Sequence, residues 1–335
     1  MIQKINKIPL LRESKNIAKD ILEMFLKTSF GNKIFFKYIH KKYSSYSNKP
    51  NFIRIETTNF CNSKCTFCPH KSMKRKKGVI AENLFKAVID QAADWRVKEV
   101  HLQNFGEPLM DKNLGKRIKY AKSKNIPKVV LFTNASLLSD KKSQEIIQSG
   151  LDTLFISFEG YSKEIYNSSR IGLDYDKVSS NIKNFYYLKR KLNTKNPQLI
   201  LNVVYEKKYK KIAKKFKKEW IKYYDGIVFQ QLHNWGKGNL KAKFNIKTFC
   251  TEPWNYMTIN WNGDVVFCCL DYEGFVPVGN AKNEPLKKIW NNEKYSLLRK
   301  SILQGKLSNI GLCKNCSVPY ISKHHYYNCL ISKIN

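Results

Sequence analysis

Six short runs rich in Val, Ile, Leu and Phe recur between positions 51 and 233, separated by longer stretches in which apolar residues return every three or four positions. The runs Phe52–Glu56, Glu99–Gln103, Lys128–Thr133, Thr153–Phe158, Leu199–Tyr205 and Ile227–Leu232 have the length and composition of strands. The stretches at about Ala81–Trp95, Asn113–Lys124, Asp140–Ser149, Tyr175–Lys191 and Tyr209–Tyr223 have the helical period. This alternation predicts a parallel α/β sheet buried on both faces, either doubly wound or curled into a partial barrel. In both forms ligands gather at the C-terminal ends of the strands.

The pattern then changes. Tyr256–Trp261 and Val265–Cys269 flank Asn262-Gly263, which predicts a tight hairpin with both turn residues at positive φ. A helix is expected after Pro285, with Leu286, Ile289 and Trp290 on one face, and a loop from Ser308. Residues 1–50 read as a basic helical extension, for example Ala18–Thr28 and Lys33–Lys42, packed on the main domain or touching a membrane surface. The expected organisation is therefore 1–50, a main domain at 51–240 and a small module at 245–335.

Composition narrows the class. A hydrophobic fraction of 42% describes a folded chain, and no apolar run approaches membrane-spanning length or forms a signal-peptide core. A cytoplasmic protein is the expectation. The formal net charge is +35, yet only eight of the 61 basic residues are arginine and the lysines are scattered over the whole chain. That distribution points to no specific nucleic acid.

Cysteine use is more informative. Nine cysteines sit at 61, 65, 68, 250, 268, 269, 313, 316 and 329, an odd number that argues against a disulfide framework. Cys61, Cys65 and Cys68 fall on one loop after the first strand; three thiolates there suit three irons of a [4Fe–4S] cluster, or zinc with His70 as fourth ligand. Cys250, Cys268, Cys313 and Cys316 offer a second soft set, fit for a cluster or a structural zinc. Cys268 and Cys269, read as strand neighbours, should face opposite sides, leaving Cys269 a packed thiol.

The run Cys61-x3-Cys65-x-Phe67-Cys68 after strand one, Gly106-Glu107-Pro108 after strand two, Thr133-Asn134 ending strand three and Ser157 ending strand four resemble the radical S-adenosylmethionine (SAM) superfamily. The resemblance implies a partial (β/α)6 TIM-like barrel, with SAM held by Phe67, Gly106, Glu107, Pro108, Asn134, Ser157 and Arg170. Cys250 to Cys268, with Trp254, Asn262-Gly263-Asp264, Gly279-Asn280 and Trp290, resembles the SPASM/twitch auxiliary-cluster module. So do Met73, Arg75 and Gly78 after the first cluster and Ser157-Phe-Glu-Gly160, where the family usually carries Asp in place of Glu159. The middle cysteine run of a full SPASM module is missing, so one auxiliary cluster is implied, ligated by Cys250, Cys268, Cys313 and Cys316. Single-auxiliary-cluster dehydrogenases of this superfamily show the same reduction.

What the resemblance implies is two [4Fe–4S] clusters, SAM, a flavodoxin- or ferredoxin-type electron donor, and oxidation of a sugar- or aminocyclitol-like small molecule. The alternatives are a peptide-modifying maturase, or an epimerase in which Cys269 or Cys329 returns a hydrogen atom. His233, in Phe-Gln-Gln-Leu-His-Asn-Trp-Gly, is the candidate proton acceptor.

Overall fold

The computed structural model describes residues 49–232, 234–235, 246–247, 250–317 and 320–321, with scattered positions between 28 and 43. His233, Cys329 and most of 1–50 lie outside the described residues. Among the described residues no helix is long and apolar enough to cross a membrane.

The six strands form in the expected order: β1 (Phe52–Ile55), β2 (Glu99–His101), β3 (Lys128–Thr133), β4 (Thr153–Ser157), β5 (Gln198–Tyr205) and β6 (Gly226–Gln231). Each pairs in parallel with the next, and crossover helices lie between them. These are α1 (Glu82–Asp94), α2 (Leu114–Ser123), α3 (Asp140–Ile147), the pair α4 (Lys163–Ser169) and α5 (Tyr175–Lys191), and α6 (Lys210–Trp220). Local chemistry sets their starts: Ser139, Ser162 and Asp174 each accept a backbone N–H in the first turn of α3, α4 and α5. Lys189, Arg190 and Lys191 then oppose the dipole at the end of α5. The seven-residue α4, too short for a period to register, was not expected from the sequence.

Alternate strand residues divide the work. Ile53, Ile55, Val100, Leu102, Val129, Leu131, Leu154, Ile156, Leu199 and Leu201 are fully buried against Phe85, Val88, Ile118, Ile146, Ile182 and Phe185 of the helices. The opposite positions, Arg54, Gln103, Phe132, Ser157, Asn202 and Gln230, line one cavity. Residues from β1 to β6 can share a cavity only if the sheet curls, so the partial barrel is the form adopted. That inner face turns polar towards the C-terminal strand ends, where it borders the cavity, as the expectation of ligands at those ends requires.

The C-terminal segment extends the same sheet. β8 (Tyr256–Ile259) adds in parallel to the free edge of β1, and β9 (Asp264–Val266) and β10 (Pro277–Asn280) follow antiparallel. The hairpin turn differs from expectation. Asn260 N–H donates to Asp264 O at 2.8 Å, leaving a three-residue loop in which Gly263 alone takes a positive φ, +93°. A type I turn closed by a left-handed glycine accommodates Trp261 as a third loop residue, which a two-residue turn cannot. α8 (Leu286–Trp290) buries Leu286, Ile289 and Trp290 completely, as its spacing requires. Ile289 packs over Gly279, where an added Cβ would stand 2.8 Å from its side chain. Before and after these lie α7 (Glu252–Asn255), α9 (Glu293–Leu303) and α10 (Gly311–Lys314), and a two-residue pairing joins β7 (Ile246–Lys247) to β11 (Tyr320–Ile321). α10 carries Cys313 where a loop was expected.

Candidate functional site

The first cysteine loop leaves β1 and crosses the mouth of the barrel. Asn59 clamps its base, donating to Lys76 O at 2.9 Å and accepting from Gly78 N at 2.8 Å. Lys64 N–H and Thr66 N–H donate to Ile171 O and Ser169 O, both at 2.8 Å, so the far side is tied to the end of α4. Gly106 passes under the loop at φ +116°, where a Cβ would lie 2.6 Å from Thr58 O and 2.8 Å from Phe60 O; only glycine fits. Glu107 N–H donates to Phe60 O at 2.7 Å. Cys61, Cys65 and Cys68 all border the cavity. Burial pushes the Cys61 thiol up to about 12 and the Cys68 thiol up to about 11.

Around that loop the residues singled out from sequence converge. Glu107 is fully buried; its carboxylate accepts from Leu109 N (3.0 Å), Thr133 Oγ1 (2.6 Å) and Asn134 N (2.7 Å), and burial raises its pKa. Asn134 donates to Asn62 Oδ1 at 3.0 Å, joining the strand end to the cysteine loop. Ser157 ends β4 opposite Asn202, both on the cavity wall. Arg170 makes no surface pair. Its Nε and Nη2 hold the two Glu159 oxygens at 2.5 and 2.9 Å, its Nη1 stands 3.6 Å from Cys65 Sγ, and its guanidinium lies 5.2 Å from the Phe67 ring centroid. Glu159, noted only for its departure from Asp, is the anchor of that arginine. Arg75 is bound to Glu56 through both guanidinium ends. Gly78 sits against Trp261, whose ring would meet a Cβ at 2.5 Å.

The second set is assembled from distant segments. Cys250 precedes α7, Cys268 follows β9, and Cys313 and Cys316 flank the end of α10; all four border the same cavity. The thiols are desolvated: burial pushes Cys313 up to about 12 and raises Cys250 well above its ordinary value. The expectation for the Cys268-Cys269 pair is corrected. β9 ends at Val266, so both residues lie in a turn, and both thiols reach the cavity and each other. Asp271 shapes that turn by accepting from Gly274, Phe275 and Val276 N–H groups at 2.8–2.9 Å. Cys269 Sγ lies 3.8 Å from Glu252 Oε2 and bonds Arg54 as well. Burial first, then Cys269, pushes the Glu252 carboxyl up to about 8. Sequence reasoning missed Arg54, Gln103, Asn104, Asn202 and Glu252. For Arg54, Gln103 and Asn202 the available signal was a polar residue at an inward position of an otherwise apolar run; Asn104 lies in the loop after β2 and Glu252 on α7, where no such pattern exists.

The cavity has a volume of about 550 Å³ and is bordered by both cysteine sets. Among the described residues no three His, Cys, Asp or Glu side chains converge to grip a single ion. His70, the fourth ligand a zinc site would use, points its Nε2 at Asn59 O, 2.8 Å away. An iron–sulfur cluster is ligated by separate thiolates at its corners, and thiolates are the donors that both cysteine sets offer.

Comparison with known proteins agrees. Residues 55–197 match the radical SAM superfamily, and residues 250–317 match SPASM, described as an iron–sulfur cluster-binding domain. The S-adenosyl-L-methionine-dependent 2-deoxy-scyllo-inosamine dehydrogenase of Niallia circulans is 22% identical over 283 residues, spanning 82% of this chain and 96% of the relative. A GTP 3′,8-cyclase of Clostridium botulinum is 30% identical over 142 residues, 41% of this chain and 44% of the cyclase. Among solved structures, BtrN in complex with AdoMet and 2-DOIA superposes with a TM-score of 0.58 at 20% identity, covering 80% of this chain and 93% of BtrN. SuiB of Streptococcus suis bound to its precursor peptide SuiA gives 0.61 at 16% identity, covering 84% of this chain and 73% of SuiB. With the cysteine loop, the curled parallel sheet and both family matches in one chain, the protein belongs to the radical SAM superfamily, as an iron–sulfur oxidoreductase with a C-terminal SPASM domain.

Proposed function

We propose that this chain binds SAM and one [4Fe–4S] cluster at Cys61, Cys65 and Cys68, and a second [4Fe–4S] cluster at Cys250, Cys268, Cys313 and Cys316, to oxidise a sugar- or aminocyclitol-like alcohol. The observation that carries this reading is one cavity walled by both cysteine sets. When bound, SAM and the two clusters would supply one-electron cleavage of the sulfonium bond, hydrogen abstraction from carbon, and an acceptor for the remaining electron, while the hydroxyl proton passes to a base, for which His233 is the candidate.

The chain's own residues do the rest. Three cysteines on one loop leave a corner of the first cluster open, whereas four in the second set leave none. Glu107, with three donors already on its carboxylate, is held rigidly as the acceptor for the SAM ammonium. Arg170, locked by Glu159, places positive charge beside Cys65 and covers Phe67, and Asn134 and Ser157 border the same side. Residues 51–240 act as the SAM-binding core and 245–335 as the auxiliary module, with a flavodoxin- or ferredoxin-type protein as electron source. The relative's substrate, 2-deoxy-scyllo-inosamine, heads the compounds to try.

A second reading, redox-neutral epimerisation, draws on Cys269, whose thiol borders the cavity and could return a hydrogen atom. One experiment separates the two. After anaerobic reconstitution, 5′-deoxyadenosine and product are measured with each compound in deuterated buffer. A product two electrons more oxidised, without deuterium at carbon, supports dehydrogenation. Deuterium at carbon without net oxidation replaces it with the epimerase.

A further inference from the structure

Two consecutive residues beyond β6 reach both cysteine loops. Asn234, only 5% exposed, brackets Cys316: its Oδ1 accepts from Ser317 N at 3.0 Å, its Nδ2 donates to Asn315 O, and its own N–H donates to Ser317 Oγ at 3.4 Å. Trp235 Nε1 donates at 2.7 Å to the carbonyl of Phe67, which stands between Cys65 and Cys68. The Trp235 ring also packs 5.7 Å from Phe105, and Phe105 6.0 Å from the buried Tyr272. Tyr272 N–H in turn donates to Leu270 O at 3.0 Å, in the turn that carries Cys268 and Cys269.

The backbone here favours glycine, yet the position carries an indole. Trp235 takes φ +53°, in the left-handed region that bulky side chains rarely enter. Such a residue stays there when contacts on either side over-determine it. Those contacts are the Asn234 bonds to one cysteine loop and the indole bond to the other. Asn315 O, Ser317 N and Phe67 O are all main-chain atoms, so the bonds fix the course of both loops rather than a side-chain rotamer. A shift of the Cys316 turn therefore moves Asn234, and one peptide unit later the Phe67 carbonyl.

Cys250, Cys268, Cys313 and Cys316 come from separate segments, so ligation there orders the Cys316 turn as well as binding metal. An ordered turn holds Asn234, and Trp235 then holds Phe67, whose ring lies 5.2 Å from the Arg170 guanidinium on the side given to SAM. We propose that Asn234 and Trp235 are positioning residues that couple the two sites, so that filling the second site tightens SAM binding at the first. This rests on the two-cluster reading above and adds that the sites assist each other. By reciprocity, SAM strengthens the second site by the same factor.

The test measures SAM affinity by equilibrium dialysis on the full-length, anaerobically reconstituted protein, without reductant so that no SAM is cleaved. Wild type is compared with Cys250→Ala, which empties the second site from a segment remote from the Cys316 turn, and with Trp235→Phe, which keeps a ring but loses the N–H. Iron content reports which site is filled. Each variant alone should weaken SAM binding about tenfold, the effect of one lost buried hydrogen bond, and Cys250→Ala/Trp235→Phe no further. Damage that reached SAM by independent routes would multiply instead, to about a hundredfold. Asn234→Ala cuts the bridge at its Cys316 end. With about eight irons retained it should match Trp235→Phe, which separates coupling from a direct contact of the indole with SAM. Unchanged affinity in Cys250→Ala, multiplied losses in the double variant, or wild-type affinity in Asn234→Ala overturns the proposal. Wild type holding only about four irons, or Cys250→Ala still holding about eight, defeats the two-cluster reading itself and the coupling with it.

Discussion

Cys61, Cys65 and Cys68 meet across eight residues of one loop, whereas Cys250, Cys268, Cys313 and Cys316 are gathered from three segments spread over more than sixty residues. The first set depends on local geometry: two backbone bonds to the end of α4, the Asn59 clamp and the close pass of Gly106. The second depends on β8 docking on β1, on the Asp271 turn and on α8 and α9 packing beneath it. A site closed by a short loop costs little chain entropy to form, while one closed through long loops needs folded structure to offset that cost. Metal ligation should therefore stabilise the second region far more than the first.

Cysteine removal is the strongest test of that contrast. The Cys61→Ala/Cys65→Ala/Cys68→Ala protein should drop from about eight irons per chain to about four and lose 5′-deoxyadenosine formation entirely. Cys250→Ala should lose a similar amount of iron and all substrate oxidation, and also lower the melting temperature by roughly 5 °C or more relative to the triple variant. Equal melting temperatures would erase the distinction between the two regions.

Next in size is the buried pair behind the first set. Arg170→Ala strands Glu159, whose side chain is only 5% exposed, and should cost about 3–5 kcal/mol in denaturant unfolding. Arg170→Lys keeps the charge but loses the two-point grip, so it should recover part of the stability and little of the SAM affinity.

Gly78 and Trp261 connect the regions directly. A Cβ at Gly78 meets the indole at 2.5 Å, and Trp261 Nε1 also donates to Lys76 O at 3.1 Å. Gly78→Ala should cost about 1–2 kcal/mol by pushing the hairpin from the cysteine loop. Gly78→Ala combined with Trp261→Ala should show clear non-additivity in stability.

The smallest effect concerns pH. His101 lies on the inner face of β2, where burial holds its imidazole below the ordinary value although Glu99 stands 2.6 Å away. The folded state therefore favours the neutral ring, and the unfolded chain takes up the proton first as pH falls below about 6.5. Stability from this group is present above that pH and lost below it, at no more than about 1.4 kcal/mol per pH unit. Melting temperatures measured from pH 7 to pH 5 should fall less steeply in His101→Gln.

Much of this architecture was legible in the residues. Short runs rich in Val, Ile, Leu and Phe located all six barrel strands, within one or two residues at their ends, and the 3.6-residue period located five of the crossover helices, because both patterns report which residues meet apolar surroundings. The short α4 and the third hairpin strand β10 escaped because too few residues repeat in them. The cysteine spacing and the Gly106-Glu107-Pro108 turn were readable because each acts within a few residues of itself.

Other features depend on pairs far apart in the chain. Arg170 was visible as a cation, but its burial against Glu159 is settled by α4 folding back over β4. Cys268 and Cys269 were adjacent letters whose directions followed from where β9 stops. Arg54, Gln103 and Glu252 became neighbours of one cavity only when the sheet curled and β8 closed on its edge. The sequence by itself determined the elements, the superfamily motifs and the first cysteine loop, since propensity, capping and turn chemistry act over a few residues. Only the tertiary structure decided which polar groups share the cavity and how the second cysteine set assembles, because those contacts are chosen by packing between segments that local pattern cannot pair.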